Sequence, residues 1–180
     1  DCLLSRGLGD VYKRQGLKSL EIAEKFLETY KGKDKIRLQV RLYQRRSSIF
    51  LETKTYPDSI EQMSLKTIAL TKQLKDADLE AGANNILGFF YQEQNPSNSK
   101  AEFYLKNAIQ IWDSIGFEIY ATTARTNLAR FYLSKERNQE ALDLILPVEV
   151  TVDSNTWKYH GGSVYSIIGE GYTKLGNYPK

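Results

Sequence analysis

The chain has 180 residues, of which 41% are hydrophobic and 12% aromatic, enough to build a folded core and too much for a disordered polymer. Its 25 cations and 22 carboxylates leave a formal charge of only +3, so non-specific nucleic-acid binding is not implied. A single Cys (Cys2) and a single His (His160) exclude a disulfide framework and thiolate zinc chemistry.

Residues Asp1 to Gln15 read DCLLSRGLGDVYKRQ, which resembles the conceptual translation of sequencing-adapter DNA. No Met opens the chain, and its only Met is Met63. The stretch 1–15 is therefore set aside as a non-native leader. A genuine first helix is the rival reading, because Leu8-Gly9-x-x-Tyr12 mimics a spacing found further on.

From there the apolar residues recur at helical spacing, and strict alternation is rare. The pattern predicts helices over 17–31, 35–54, 58–75, 79–94, 97–115, 118–135, 138–150 and 156–175. Lys31-Gly32-Lys33 ends the first, and the Asp34 carboxylate is expected to cap the second. Pro57 sits at a helix start, where its missing N–H costs nothing. Pro96 does the same, with Asn95 as the expected N-cap. Gly116 has the position of a residue that follows a helix end. Pro147 removes a backbone hydrogen bond, and β-branched residues follow it. The helix is expected to kink or end there, with a longer loop to about Asn155 or a short strand.

Three segments share one spacing: Leu87-Gly88-x-x-Tyr91, Leu128-Ala129-x-x-Tyr132 and Ile168-Gly169-x-x-Tyr172. Ser47-Ser48-x-x-Leu51 is a weaker copy. With Ser48, Gly88, Ala129 and Gly169 as equivalent points, the steps are 40, 41 and 40 residues. A period of this length marks a solenoid of stacked supersecondary units. Two antiparallel helices approach closely only where one presents a small residue. Gly88, Ala129 and Gly169 supply that notch in each first helix, and Ala101 and Ala141 supply it in each second helix. The Tyr three residues on lies on the same face and fills the space between layers. Residues 44–75 keep the periodicity through Ile60, Met63, Thr67, Leu70 and Leu74, without the small residues.

The small residue, the Tyr and the following Ala–large apolar pair resemble the tetratricopeptide repeat, over about residues 16–180. The spacing exceeds the usual 34 residues of that family, so longer helices are expected. The aromatic that often opens the first helix occurs only as Tyr165. The resemblance implies an all-α fold, a right-handed superhelical array of antiparallel helix hairpins. The array over 16–180 is read as truncated within its last repeat, since the chain stops at Lys180 before a second helix can follow Tyr172. It also implies that the first helices line a concave peptide-binding groove. Carried residue by residue, the inward positions are Arg45, Arg46, Ile49, Asn85, Phe89, Gln92, Thr126, Asn127, Arg130, Ser166 and Glu170. Asn85 and Asn127 are read as a recurring pair able to hold the backbone of an extended ligand. Arg37, Arg41 and Arg45 recur at four-residue intervals as a stripe, which is most often a solvated face.

No catalytic constellation stands out. His160, a lone His near a helix start, is usually structural or exposed, and Gly161-Gly162 beside it lack the spacing of a phosphate loop. The expectation is therefore a non-enzymatic protein-interaction scaffold, with no cofactor and no metal. Its partner would be a protein or peptide with an acidic group, held by Arg in bidentate fashion. Neither nucleic acid nor membrane contact is expected of this stretch, and oligomeric state and compartment stay open. The alternative is a sensory or regulatory input module of a bacterial transcription regulator or sensor kinase. Extending the reading frame downstream distinguishes the two, through a helix-turn-helix or kinase core against further repeats.

Overall fold

A computed structural model describes residues 2–95, 98–151 and 154–176, with side chains over 14–95, 98–148 and 161–176. Among the described residues eight helices form: α1 (Cys2–Thr29), α2 (Lys35–Thr53), α3 (Pro57–Leu74), α4 (Ala77–Gln94), α5 (Ser99–Ser114), α6 (Glu118–Ser134), α7 (Asn138–Thr151) and α8 (Ser154–Lys174). No strand occurs among the described residues. The all-α expectation holds, and each helix lies within a few residues of its predicted span. The exception is α1, whose helical backbone also runs through most of 1–15. The chain divides into two compact units, Asp1–Ile86 and Leu87–Lys180.

In the first unit α2 packs against α1 on one side and α3 on the other. Val40, Leu42 and Ile60 are buried there, with Leu27 from α1. The rest of the seam is hydroxylic: Ser47, Ser64, Thr67 and Thr71 are at most 2% exposed. The small residues of the weak repeat are thus present, as Ser and Thr. Ser47, and not Ser48, is the buried one, so the notch lies one residue earlier than the sequence spacing placed it. The aromatic three residues on is then Phe50, whose ring stands 4.8 Å from that of Tyr56.

In the second unit Gly88 is a true notch. A Cβ there would lie 2.5 Å from Leu105 Cγ and 3.0 Å from the Leu105 backbone nitrogen. Ala101, Leu105 and Ala108 on α5 are fully buried, as are Ala129, Ala141 and Ile145. Tyr91 and Tyr132 are buried plugs, each 5% exposed. α6 packs against α5, α7 and α8. The last notch differs from expectation. Gly169 meets nothing within 4 Å, whereas Gly171 packs on Leu142 of α7, where a Cβ would come within 2.8 Å.

Helix ends also depart from the sequence reading at three places. Asp34 precedes α2 without a side-chain cap, since the turn is closed by Lys35 N donating to the Gly32 carbonyl at 3.1 Å. Asn98, not Asn95, caps α5, its Oδ1 accepting from Lys100 N at 3.0 Å. Pro57 does open α3, while Pro96 lies outside the described residues. The third departure is Pro147. α7 neither ends nor gives way to a strand there, and it runs through to Thr151. Ile145 and Val148 are buried while Pro147 is exposed, so packing of the apolar side outweighs the lost hydrogen bond on the wet side. The long loop is absent as well, because α8 begins at Ser154. Val152 and Asp153 lie outside the described residues.

The α5 and α6 termini close with the same backbone motif. Phe117 N donates to Trp112 O at 2.9 Å around Gly116, whose φ is +73°. Arg137 N donates to Tyr132 O at 3.0 Å around Glu136, whose φ is +59°. Glycine enters this left-handed region freely, whereas a side chain costs about 1–2 kcal/mol. Glu136→Gly should therefore stabilise the chain by about 1 kcal/mol in urea unfolding. Ala141→Leu should overpack its closed contact and destabilise by roughly 1–3 kcal/mol in the same assay.

Candidate functional site

The expected groove residues lie on α2, α4, α6 and α8, and only Arg45, Arg130, Ser166 and Glu170 among them are exposed. On α2, Val40 and Ser47 point into the core and Leu42 is buried on another side. The remaining strip carries Arg37, Arg41 and Arg45, all exposed. Arg46 is not on it. Its guanidinium donates to both carboxylate oxygens of Glu24 on α1, at 2.7 and 2.8 Å. Ile49 is also turned toward α1, with Cδ1 3.2 Å from where a Gly16 Cβ would stand. Moving the notch from Ser48 to Ser47 accounts for both, since one residue rotates a helical position by about 100°. Arg37 reaches Asp76 Oδ2 at 3.2 Å, and Asp76 Oδ1 accepts from Leu79 N, capping α4. Asn85 is half-buried.

In the second unit Phe89 and Gln92 on α4 are half-buried, and Gln92 Oε1 is enclosed. Thr126 does not reach the surface. It is 4% exposed and its hydroxyl donates to the Thr122 carbonyl at 2.8 Å, so it offers nothing to a ligand. Asn127 is half-buried, and it is not the counterpart of Asn85. Asn85 stands three residues before its notch and Asn127 two, so Thr126 holds the equivalent place. Arg130 is exposed, and its guanidinium donates to Ser163 Oγ on α8 at 3.3 Å. Ser166 and Glu170 are exposed on α8, and Glu170 pairs with Lys174 at 2.8 Å. Of the expected residues in this unit, the structure brings Arg130 to α8, where Ser166 follows Ser163 by one turn. Ser163 itself was not foreseen, although its place one turn before Ser166 was the available signal.

α6 is held in register by an ion-pair lock. Glu102 of α5 accepts from the Tyr132 hydroxyl at 2.9 Å and from Arg137 Nη1 at 2.8 Å, and pairs with Lys106 at 2.7 Å. Arg137 also donates to both oxygens of Glu140 at 2.6 Å, and its guanidinium lies 4.1 Å above the Tyr132 ring. The Arg137 hydrogen bonds are the main reason the Glu102 carboxyl is lowered to about 2, with Lys106 and Tyr132 adding to the effect against burial. Burial first, then the Glu102 hydrogen bond, raises Tyr132. Every member of this cluster is committed to another member, so it reads as a fastening and not as a reaction centre.

A cleft of about 360 Å³ lies between α1 and α2, floored by Leu27 and Leu42. Three of its polar side chains are engaged: Gln39 Nε2 donates to the Tyr43 hydroxyl at 2.8 Å and Lys35 Nζ to the Glu28 backbone carbonyl at 3.3 Å. Among the described residues no group of three or more His, Cys, Asp or Glu could hold a metal ion. The His160 side chain lies outside the described residues. No described helix is long and apolar enough to cross a membrane. Compared with known proteins, the chain matches no family model and no curated sequence.

The lock carries a pH signature. The Glu102 carboxyl lies below its unfolded value of 4.5, so the lock is at full strength above that pH. Its contribution is lost as pH falls from there toward about 2. Glu102→Gln should be less stable than the parent at pH 7 by about 1–2 kcal/mol, allowing for solvent screening. In chemical unfolding followed against pH, that difference should shrink across the acid window.

Proposed function

We propose that this chain is a non-enzymatic interaction scaffold of the tetratricopeptide-repeat kind, whose hairpins stack into a right-handed superhelical array. On this reading the first helices turn a concave, polar face toward a peptide or a segment of a partner protein. The support is local and repeated. Gly88 is seated on Leu105, Tyr91 and Tyr132 are buried three residues after a notch, and α6 packs on both the helix after it and the next first helix, α8. The observation that carries the functional reading is the hydrogen bond from Arg130 to Ser163. It joins two first helices across an exposed face whose side chains are Ser, Glu and Arg, groups suited to pairing with a peptide backbone and its carboxylates.

A surface of this kind is tested by capture. Peptides selected from a random display library against the immobilised chain should be enriched in acidic residues. Replacing Arg45 and Arg130 together with Glu should abolish their capture while leaving the far-UV helical spectrum unchanged. Undiminished capture by the double variant would remove this reading.

A further inference from the structure

We propose that the exposed strip of α2 docks an extended acidic segment of a partner protein, with carboxylates at alternate residues, laid along the helix. This rests on the scaffold reading and adds the ligand's charge pattern and its track. Arg37, Arg41 and Arg45 follow one another by one helical turn, and each step advances about 6 Å along the axis. An extended chain advances about 6.6 Å over two residues, so its same-side side chains keep step with the three guanidiniums. A helical ligand carries same-side carboxylates at i and i+4 and would serve too, but it needs an apolar groove, and this strip offers only Leu38.

The availability of the cations is the second observation. Arg46, the next residue in sequence, is consumed by Glu24. Arg41 and Arg45 are exposed, and neither has an ion-pair partner among the described residues. Arg37 is 49% exposed, and its Asp76 contact is a single one at 3.2 Å, long for a guanidinium–carboxylate pair. Ser48 does not compete for a ligand, because its hydroxyl donates to the Gln44 carbonyl. The strip ends at Glu52, which is exposed and lies two turns beyond Arg45 on the same side. A carboxylate there repels further acidic residues, which limits the ligand to the length between Arg37 and Arg45.

A single nucleic-acid strand also presents regularly spaced anions. It gains much of its affinity from bases stacked on aromatic rings, and the Arg strip holds Arg, Ser, Leu and Glu with no ring among them. The charge pattern therefore favours a polypeptide.

The test uses fluorescence anisotropy with the full chain and three labelled probes. These are a peptide of alternating Asp and Ser, a peptide of the same composition with the Asp residues contiguous, and oligouridylate. The alternating peptide should bind several-fold more tightly than the contiguous one, and binding should weaken with salt as charges are screened. Arg41→Glu with Arg45→Glu should weaken it about tenfold or more, and the corresponding Gln pair should weaken it less. Circular dichroism checks that both variants keep their helicity. Equal affinity for the two peptides, unchanged binding in the Glu pair, or tighter binding of oligouridylate would each overturn the proposal. Loss of the library-selected peptides in Arg130→Glu, but not in the Arg41/Arg45 variants, would overturn this strip and leave the scaffold reading standing. Capture insensitive to all three arginines would overturn both.

Discussion

Close approach of antiparallel helices at positions almost without side chains is the constraint on which the structure depends. At Gly88 the space a Cβ would fill belongs to Leu105. Once two helices meet at that distance, the residue three positions on must fill the widening gap beside the contact. Tyr91 and Tyr132 do so, buried along their rings and tied at their hydroxyl ends. A ring with a polar tip suits this place, since it packs like an apolar residue and ends where a partner can be found. The α2–α3 seam solves the same problem with Ser47, Ser64 and Thr67, which are small enough for the approach. Their hydroxyls find no protein partner among the described residues, so the hairpin accepts a polar cost for its closeness.

Charge is distributed according to the same geometry. Where helices turn, cations and carboxylates are used up on each other and on the plugs. Lys100 stands over the Tyr91 ring at 4.9 Å, and Arg137 over the Tyr132 ring at 4.1 Å. Glu102 gathers Arg137, Lys106 and the Tyr132 hydroxyl. Arg41, Arg45 and Arg130 stand away from these turns and stay exposed. Whether a cation here is spent on a neighbour or left exposed therefore follows from its position and side on the helix, as Arg46 beside Arg45 shows, and not from residue type.

Helical periodicity was legible because each helix must bury one stripe, and the stripe survives any reasonable packing. The notch–Tyr spacing was legible for the same reason at Gly88 and Ala129. It misled at Ser47-Ser48, where two adjacent serines offer the same signal and only burial separates them. That one-residue ambiguity carried Arg46 and Ile49 onto an expected groove, whereas their side chains turn to α1. Thr126 misled differently. A hydroxyl residue reads as surface in a sequence, yet it can be buried once it donates back to a carbonyl four residues earlier. At Pro147, local propensity argued for a break, and the buried Ile145 and Val148 on the opposite side kept the helix whole.

The sequence by itself determined that this chain is helical, where most of its helices lie, and that it holds a single Cys and a single His. Those properties depend on residue type and on a period of 3.6, both of which are local. Only the tertiary structure decided which side of each helix is covered, and so which arginines are spent and which remain. The reason is rotational: neighbouring residues on a helix point about 100° apart, so sidedness is set by what packs against the helix and not by the order of its residues.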